Sequence, residues 1–281
     1  MQKTITYPTR CTGIAIDGKA HATLTFNPAP CDTGIVFIRE DLPGRPKVEC
    51  CPQYARTDSR WTYLVKEEIR IEHTEHLLAA VIGLGIDNLQ VYLDGPHIPV
   101  VSSFSSQDFV TALQRAIIIE QDKPKNYFTV AQPQWIFDSF SYNGRQHDCI
   151  LLALPSSQLT VTYLLDYPGK QLPTQSAHFC LGGQDFAEQF APARSYIMDF
   201  EYDLVARLIG KSIKECLVIG RSDTKLQWNN EPARHKLLDL LGDMATLGSP
   251  IRGHFIGIRT GHKVNMKMCH KLQGFKEELF N

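Results

Sequence analysis

The chain has 281 residues, of which 29 are Lys or Arg and 30 are Asp or Glu, so its formal net charge is −1. This balance argues against nucleic acid as the main partner, because proteins that bind nucleic acid usually carry a basic excess. The hydrophobic fraction of 43% excludes a mainly disordered chain, and the length favours two domains.

Two further features of the composition predict a cytoplasmic protein. The first residues, MQKTITYPTRCTG, lack the apolar core of a signal peptide, and no apolar run approaches the roughly 18 residues of a membrane span. The eight cysteines contain no CxxC pair, and without a secretory signal they are expected to be reduced thiols.

In the first half, the hydrophobic pattern predicts a sheet followed by helices. The predicted strands are two between Ile14 and Phe37, separated at Pro28–Pro30, and then Thr62–Val65, Ile69–Ile71 and Asn88–Leu93. Apolar residues at helical spacing predict one helix from Thr74 that ends near Gly83, and a second over Phe109–Glu120.

The second half repeats this order of elements after a polar stretch, Gln121–Asn126, that predicts a linker. The predicted elements are strands at Tyr127–Val130, Trp135–Tyr142, Asp148–Leu154 and Leu159–Leu165, helices at Arg194–Ile209 and Glu231–Leu247, a short strand at Leu217–Gly220, a strand at His254–Thr260 and a last helix to Leu279. The sequence thus predicts an α+β fold with two similar domains, residues 1–122 and 126–281, each a sheet layered against helices.

Two short windows hold the side chains best suited to chemistry, Glu72–His76 at a helix start and His235–Asp243. In a helix, His235, Asp239 and Asp243 lie one turn apart on one face. A His and a carboxylate at this spacing can bind zinc, with His76 as a third ligand and Glu75 as a base for water. The alternative is an ordinary surface hydrogen bond or cap, since such pairs are common, and Glu72–His76 is not the HExxH motif of metalloproteases.

These windows belong to a longer series of motifs that occur in a fixed order. The motifs are Pro28–Phe37, Glu75–Ala80, Gly83–Asn88, Ala193–Ser195, His235–Asp243 and Gly261–Asn265. Together they resemble the UDP-3-O-acyl-N-acetylglucosamine deacetylase family, zinc enzymes that commit a sugar nucleotide to lipid A synthesis. The resemblance runs nearly from end to end of the chain.

The resemblance implies two α+β domains with the helices sandwiched between outer sheets and a zinc site at the domain junction. It implies that His76, His235 and Asp239 bind Zn²⁺, and Fe²⁺ suits the same ligands. The N-terminal domain would contribute Glu75 and His76, and the C-terminal domain would contribute His235, Asp239 and His262.

The resemblance also implies a role for each remaining site residue. Glu75 would be the general base that activates water, and His262, as imidazolium, would stabilise the oxyanion and protonate the departing amine. Asp243 would hold the charge and orientation of His262, Lys236 would assist substrate or oxyanion binding, and Ser195 would supply a hydroxyl donor. The substrate would be an acylated UDP-N-acetylglucosamine and the products acetate and the free amine. The chain is expected to act as a monomer with at most peripheral membrane contact.

Several departures from the family pattern concern the substrate rather than the metal. Asp17 replaces a family histidine, Ser102-Ser103 replaces an Asp-Gly pair, and Arg207–Leu217 is shorter and more polar than the family segment beside the acyl chain. His73, at the helix entrance, is expected to be a solvated polar residue. These departures leave two alternatives open: a deacetylase of a different N-acetyl sugar, or a non-catalytic binding or regulatory paralogue.

Overall fold

A computed structural model of the protein describes residues 1–58, 60–100, 102–142, 144–167, 172–183 and 185–280, and the side chains of residues 102 and 275–280 lie outside this description. Within these ranges the fold is α+β, with several sheets and helices, as the sequence predicted. In the same ranges, no helix has both the length and the apolar character needed to cross a membrane.

The described part of the first half contains β1 Lys3–Ile5, β2 Thr9–Ile14, β3 His21–Pro28, β4 Ile35–Arg39, β5 Lys47–Glu49, β6 Ala55–Thr57, β7 Thr62–Lys66, β8 Ile69–Glu72, α1 Glu75–Gly83, β9 Leu89–Leu93, α2 Gln107–Arg115 and β10 Ile118–Glu120. The main sheet here has the order β2-β3-β9-β4-β5, and β6, β7 and β8 form a smaller antiparallel sheet. Ala22, Leu24 and Phe26 of β3 are buried and alternate with more exposed residues, which is the period of two of a strand with one face on the core.

The described part of the second half contains β11 Phe128–Thr129, β12 Gln134–Tyr142, β13 Arg145–Leu154, β14 Leu159–Leu165, β15 Gln175–Cys180, α3 Phe186–Gln189, β16 Tyr196–Met198, α4 Tyr202–Ile209, β17 Leu217–Ile219, α5 Glu231–Ala245, β18 Ile251–Ile258 and α6 His262–Phe280. Its main sheet has the order β12-β13-β18-β14-β15, with β14 and β18 parallel.

Four helices, α1, α2, α5 and α6, lie between the two main sheets, whereas α4 packs in a second, smaller apolar cluster with Ile16 and Phe104. Helix α1 packs against α5, α5 packs against β14 and β15, α6 packs against β12 and β13, and α2 packs against β2. Leu78 of α1 and Leu240 of α5 are fully buried in one apolar core that draws on both halves of the chain. This layering explains why nearly every residue of α1 is apolar, since a helix covered on all sides has no polar face.

The contact between α1 and α5 depends on Gly242. A Cβ atom added at Gly242 would lie 2.0 Å from the backbone oxygen of Glu75, so only glycine permits this approach. Because Gly242 follows Asp239 by three residues, the close approach brings the start of α1 against the polar face of α5. The fold thereby places both predicted windows side by side.

Two predicted helices are partly wrong, and in both segments strand pairing replaces the helix. Helix α2 ends at Arg115, and Ile118–Glu120 instead pairs antiparallel with β1 at the other end of this half. In the segment predicted as the helix Arg194–Ile209, Tyr196–Met198 is a strand parallel to β17, and α4 begins at Tyr202. The hydrophobic pattern did not predict strand β15, whereas the strand predicted at Leu217–Gly220 is observed as Leu217–Ile219.

Candidate active site

The three predicted metal ligands converge at the junction between α1 and α5. Asp239 Oδ1 lies 3.3 Å from His235 Nε2 and 3.4 Å from His76 Nε2, and all three side chains are buried. His235 and Asp239 meet because residues four apart share a helix face. His235 Nδ1 lies 3.0 Å from the Ala193 carbonyl oxygen, so as a donor to that oxygen it leaves Nε2 facing Asp239.

This cluster fits a divalent metal ion such as zinc. Two ligand atoms that are each about 2.1 Å from one tetrahedral ion lie about 3.4 Å apart, close to the separations of Asp239 Oδ1 from both imidazoles. Asp239 Oδ1 is also buried without a well-directed hydrogen bond to any described residue, and such an atom calls for another partner. Burial lowers the pKa of His235 to about 4, which favours the neutral imidazole that metals bind.

The carboxylate of Asp239 also contacts a partly buried cation. Lys236 Nζ donates to Asp239 Oδ2 at 2.9 Å, so one carboxylate oxygen binds lysine while the other faces the two imidazoles. Burial acts to raise the pKa of Asp239, but Lys236 and His235 hold it well below its usual value. Asp239 is therefore ionised at neutral pH, as a metal ligand must be.

Glu75 lies next to His76 at the first turn of α1, with its carboxylate almost fully buried. Its Oε2 accepts a hydrogen bond of 2.9 Å from the Thr62 backbone N–H. Burial raises the pKa of Glu75 to about 7, and the nearby His262 and His76 act in the opposite direction. A carboxylate with this pKa is well matched to proton transfer near neutral pH.

His262 and Asp243 form a buried pair on the other side of the cluster. His262 Nδ1 donates to Asp243 Oδ2 at 2.8 Å, and Asn265 Nδ2 donates to the same oxygen at 2.8 Å. Burial acts to lower the pKa of His262, but the Asp243 carboxylate outweighs it and the pKa rises to about 9. His262 is therefore an imidazolium at neutral pH and a suitable proton donor.

One cavity of about 230 Å³ brings the predicted residues together. Its lining includes seven of the eight residues selected from the sequence: Glu75, His76, Ser195, His235, Lys236, Asp239 and His262. The eighth, Asp243, is fully buried and reaches the cavity through its bond to His262.

The expectation for His73 is wrong. His73 is only 2% exposed, lines the same cavity and has a positive φ of 64°, which non-glycine residues adopt rarely. It forms a second cluster with Glu75 and His76, in which His73 Nε2 lies 3.7 Å from Glu75 Oε1. Because Asp239 Oδ1 is closer to two imidazoles, the cluster of His76, His235 and Asp239 suits a metal better.

The segments expected to depart from the family pattern lie near one another in the fold, and one of them lines the cavity through Leu208, Ile209 and Cys216. The loop that carries Asp17 packs against the end of α4, where Ser212 Oγ donates to the Ala15 carbonyl oxygen at 3.0 Å. Ser103 N donates to Glu215 Oε2 at 3.1 Å, and the side chain of Ser102 lies outside the described residues. The sequence changes at Ser103 and Arg207–Leu217 therefore adjoin one another in the fold.

A buried His-His-Asp cluster, with a carboxylate and an imidazolium at the same cavity, is the arrangement of a metal-dependent hydrolase. Residues 2–274 match the family model described as UDP-3-O-acyl N-acetylglycosamine deacetylase (LpxC). The chain belongs to this family, and the resemblance drawn from the sequence motifs is confirmed.

Individual relatives match over almost the whole chain. A protein of Bdellovibrio bacteriovorus named UDP-3-O-acyl-N-acetylglucosamine deacetylase is 34% identical, over 97% of this chain and 89% of the relative. A protein of the same name from Myxococcus xanthus is 30% identical, over 96% of this chain and 86% of the relative. A bifunctional enzyme LpxC/FabZ of Chlorobaculum tepidum is 30% identical over 98% of this chain, which spans only 65% of that relative.

Proposed function

We propose that this chain removes the N-acetyl group from UDP-3-O-acyl-N-acetylglucosamine, the committed step of lipid A biosynthesis. The observation that carries the proposal is the buried cluster of His76, His235 and Asp239 beside Glu75 and His262, in a chain that matches the deacetylase family over nearly its full length. Zinc is the proposed metal, with Fe²⁺ as the alternative. We also propose that the chain is a cytoplasmic monomer, that it contacts membranes at most peripherally and that it binds no nucleic acid.

The proposed reaction is the hydrolysis of an amide bond. His76, His235 and Asp239 would hold the zinc ion, which would supply Lewis-acid chemistry to the reaction. Glu75 accepts a proton from water as the oxygen attacks the carbonyl carbon, and His262 donates its Nε2 proton to the nitrogen as the C–N bond breaks. Acetate and the free amine result.

The other site residues support charge and orientation in this proposal. Asp243 holds His262 in its protonated state and fixes the direction of its ring through Nδ1. Lys236 and Ser195 line the same cavity and offer an ammonium and a hydroxyl as donors to the developing oxyanion.

The rest of the cavity suits an acylated nucleotide sugar. Its apolar lining includes Ile16, Phe104, Ile197, Val205, Leu208 and Ile209. Side chains of this type favour an acyl chain, which has no polar groups to satisfy. Arg60 and Lys236 both line the cavity, so that cations are available to an anionic nucleotide.

The pH dependence of the reaction follows from the two proton-transfer groups. The base must be ionised, so kcat/KM should rise with pH as Glu75, with its pKa of about 7, loses its proton. The acid must be protonated, so kcat/KM should fall as His262, with its pKa of about 9, loses its proton. A metal cation bound at the neighbouring ligands would lower the pKa of Glu75, so the rise in kcat/KM would occur at lower pH. If kcat/KM did not change between pH 5 and 10, the assignment of Glu75 as the base and His262 as the acid would be contradicted.

Acetate release tests the proposed substrate directly. The metal is removed with a chelator, and release is then measured with and without added zinc, from acylated and from unacylated UDP-N-acetylglucosamine. We expect zinc-dependent release that is faster from the acylated substrate by about tenfold or more, because remote binding energy contributes to the rate. Equal rates from both substrates would overturn the assignment and favour a deacetylase of a different N-acetyl sugar.

A further inference from the structure

Thr62 is a fully buried residue that contacts both proton-transfer groups of the site. Its backbone N–H donates to Glu75 Oε2 at 2.9 Å, and its hydroxyl donates to Asp243 Oδ1 at 2.6 Å. The same hydroxyl oxygen lies 3.3 Å from His262 Nδ1. One residue in the first half of the chain thus joins Glu75 to the pair formed by Asp243 and His262 in the second half.

Each of these contacts is the sole hydrogen bond that described residues make to its acceptor oxygen. The Oδ2 atom of Asp243 accepts from His262 and Asn265, which leaves Oδ1 to the Thr62 hydroxyl. On Glu75, Oε1 lies 3.7 Å from His73 Nε2, which is beyond hydrogen-bond range. Loss of the Thr62 hydroxyl therefore leaves the buried Asp243 Oδ1 without its donor, while the backbone N–H still donates to Glu75.

Thr62 is itself held firmly enough to act as a reference point. It is the first residue of β7, where it pairs with Thr57 of β6. Its carbonyl oxygen accepts from Thr74 N at 2.9 Å and from Thr74 Oγ1 at 3.2 Å, immediately before α1 begins. The backbone that donates to Glu75 is therefore fixed from two sides.

We infer that Thr62 is a positioning residue, which sets the distance between the general base Glu75 and the general acid His262. The inference rests on the proposed function, because it assigns these two groups their roles in amide hydrolysis. Glu75 and His262 must act on the same amide from different halves of the chain, and a displacement of about 1 Å can cost about a hundredfold in rate. Thr62 contacts both groups, through its N–H on Glu75 and its hydroxyl oxygen near His262 Nδ1.

The test is Thr62→Val, which keeps the backbone N–H and the branched shape but removes the hydroxyl. We expect kcat to fall about ten- to a hundredfold, while KM stays within about twofold and the protein retains one metal ion per chain. Thr62→Ser restores the hydroxyl and is expected to return kcat to within about threefold of wild type. The matched control is Thr246→Val, which removes an equally buried hydroxyl that bonds the Asp243 carbonyl rather than its carboxylate, and it should keep wild-type kcat.

Three results would overturn the inference: wild-type kcat in metal-loaded Thr62→Val, loss of its metal, or a KM that rises as much as kcat falls. Should Thr62→Val not fold, Thr62→Cys keeps a weak donor of similar volume and should lose about tenfold in kcat, and wild-type kcat in that variant would overturn the inference as well. Wild-type protein in the same assay separates the two proposals. If wild type releases no acetate, the proposed function fails, whereas an active wild type with an equally active Thr62→Val removes only the role of Thr62.

Discussion

His235→Ala is expected to abolish metal binding and, with it, deacetylation. The substitution removes one of the two imidazoles that face Asp239 Oδ1 and leaves two protein ligands, fewer than the three of a catalytic zinc site. Metal content after reconstitution with zinc should fall from one ion per chain to well below half. Substitution of a residue that only hydrogen-bonds to a metal ligand typically lowers metal affinity or activity by roughly 10- to 100-fold. Because His235 is itself a proposed ligand, the rate of acetate release should fall by more than this.

The control for His235→Ala is His270→Ala, which removes an imidazole that contacts only the Pro52 carbonyl oxygen among the described hydrogen bonds. This variant should retain one metal ion per chain. A His235→Ala protein that still binds one ion per chain at unchanged affinity would show that the metal lies elsewhere.

Glu75→Gln is expected to lower kcat by about 10²- to 10⁴-fold, the usual contribution of a positioned general base, while metal content is unchanged. The amide keeps the shape of the side chain and still accepts the Thr62 N–H, but it does not take a proton from water. Because the cluster of His76, His235 and Asp239 remains complete, metal analysis and acetate release on the same sample separate the base from the ligands.

Glu72→Gln serves as the control for Glu75→Gln. Glu72 lies three residues earlier in the chain, and its carboxylate contacts Trp61 Nε1 and Arg70 rather than the metal cluster. The kcat of the Glu72→Gln variant should stay near the wild-type value. A Glu75→Gln variant as active as Glu72→Gln would exclude Glu75 as the base, whereas a wild-type chain that releases no acetate would favour a non-catalytic role.

The parts of the site that could be predicted from sequence are those carried by local spacing. His235, Asp239 and Asp243 recur every four residues, so a helix places them on one face whatever surrounds it. Strands such as Leu159–Leu165 were predicted correctly for the same reason, since alternation is a local property.

The remaining parts depend on contacts between residues far apart in the chain. Thr62 belongs to none of the sequence motifs, and its proposed role depends on its hydrogen bond to Asp243, 181 residues later in the chain. His73 is buried and has a positive φ because it lies between β8 and α1, against the cavity. No pattern in the neighbouring sequence predicts this position. Likewise, the local pattern predicts that Ile118–Glu120 ends a helix, but in the fold this segment pairs with β1, more than 110 residues earlier in the chain.

The position of the bound metal is the most direct test of the site. Crystals of the zinc-loaded chain can be measured at the zinc absorption edge, where anomalous scattering locates the ion without reference to activity. We expect one strong peak about 2.0–2.2 Å from His76 Nε2, His235 Nε2 and an Asp239 carboxylate oxygen. An active, zinc-loaded protein whose peak lies away from these three side chains would contradict the proposed site.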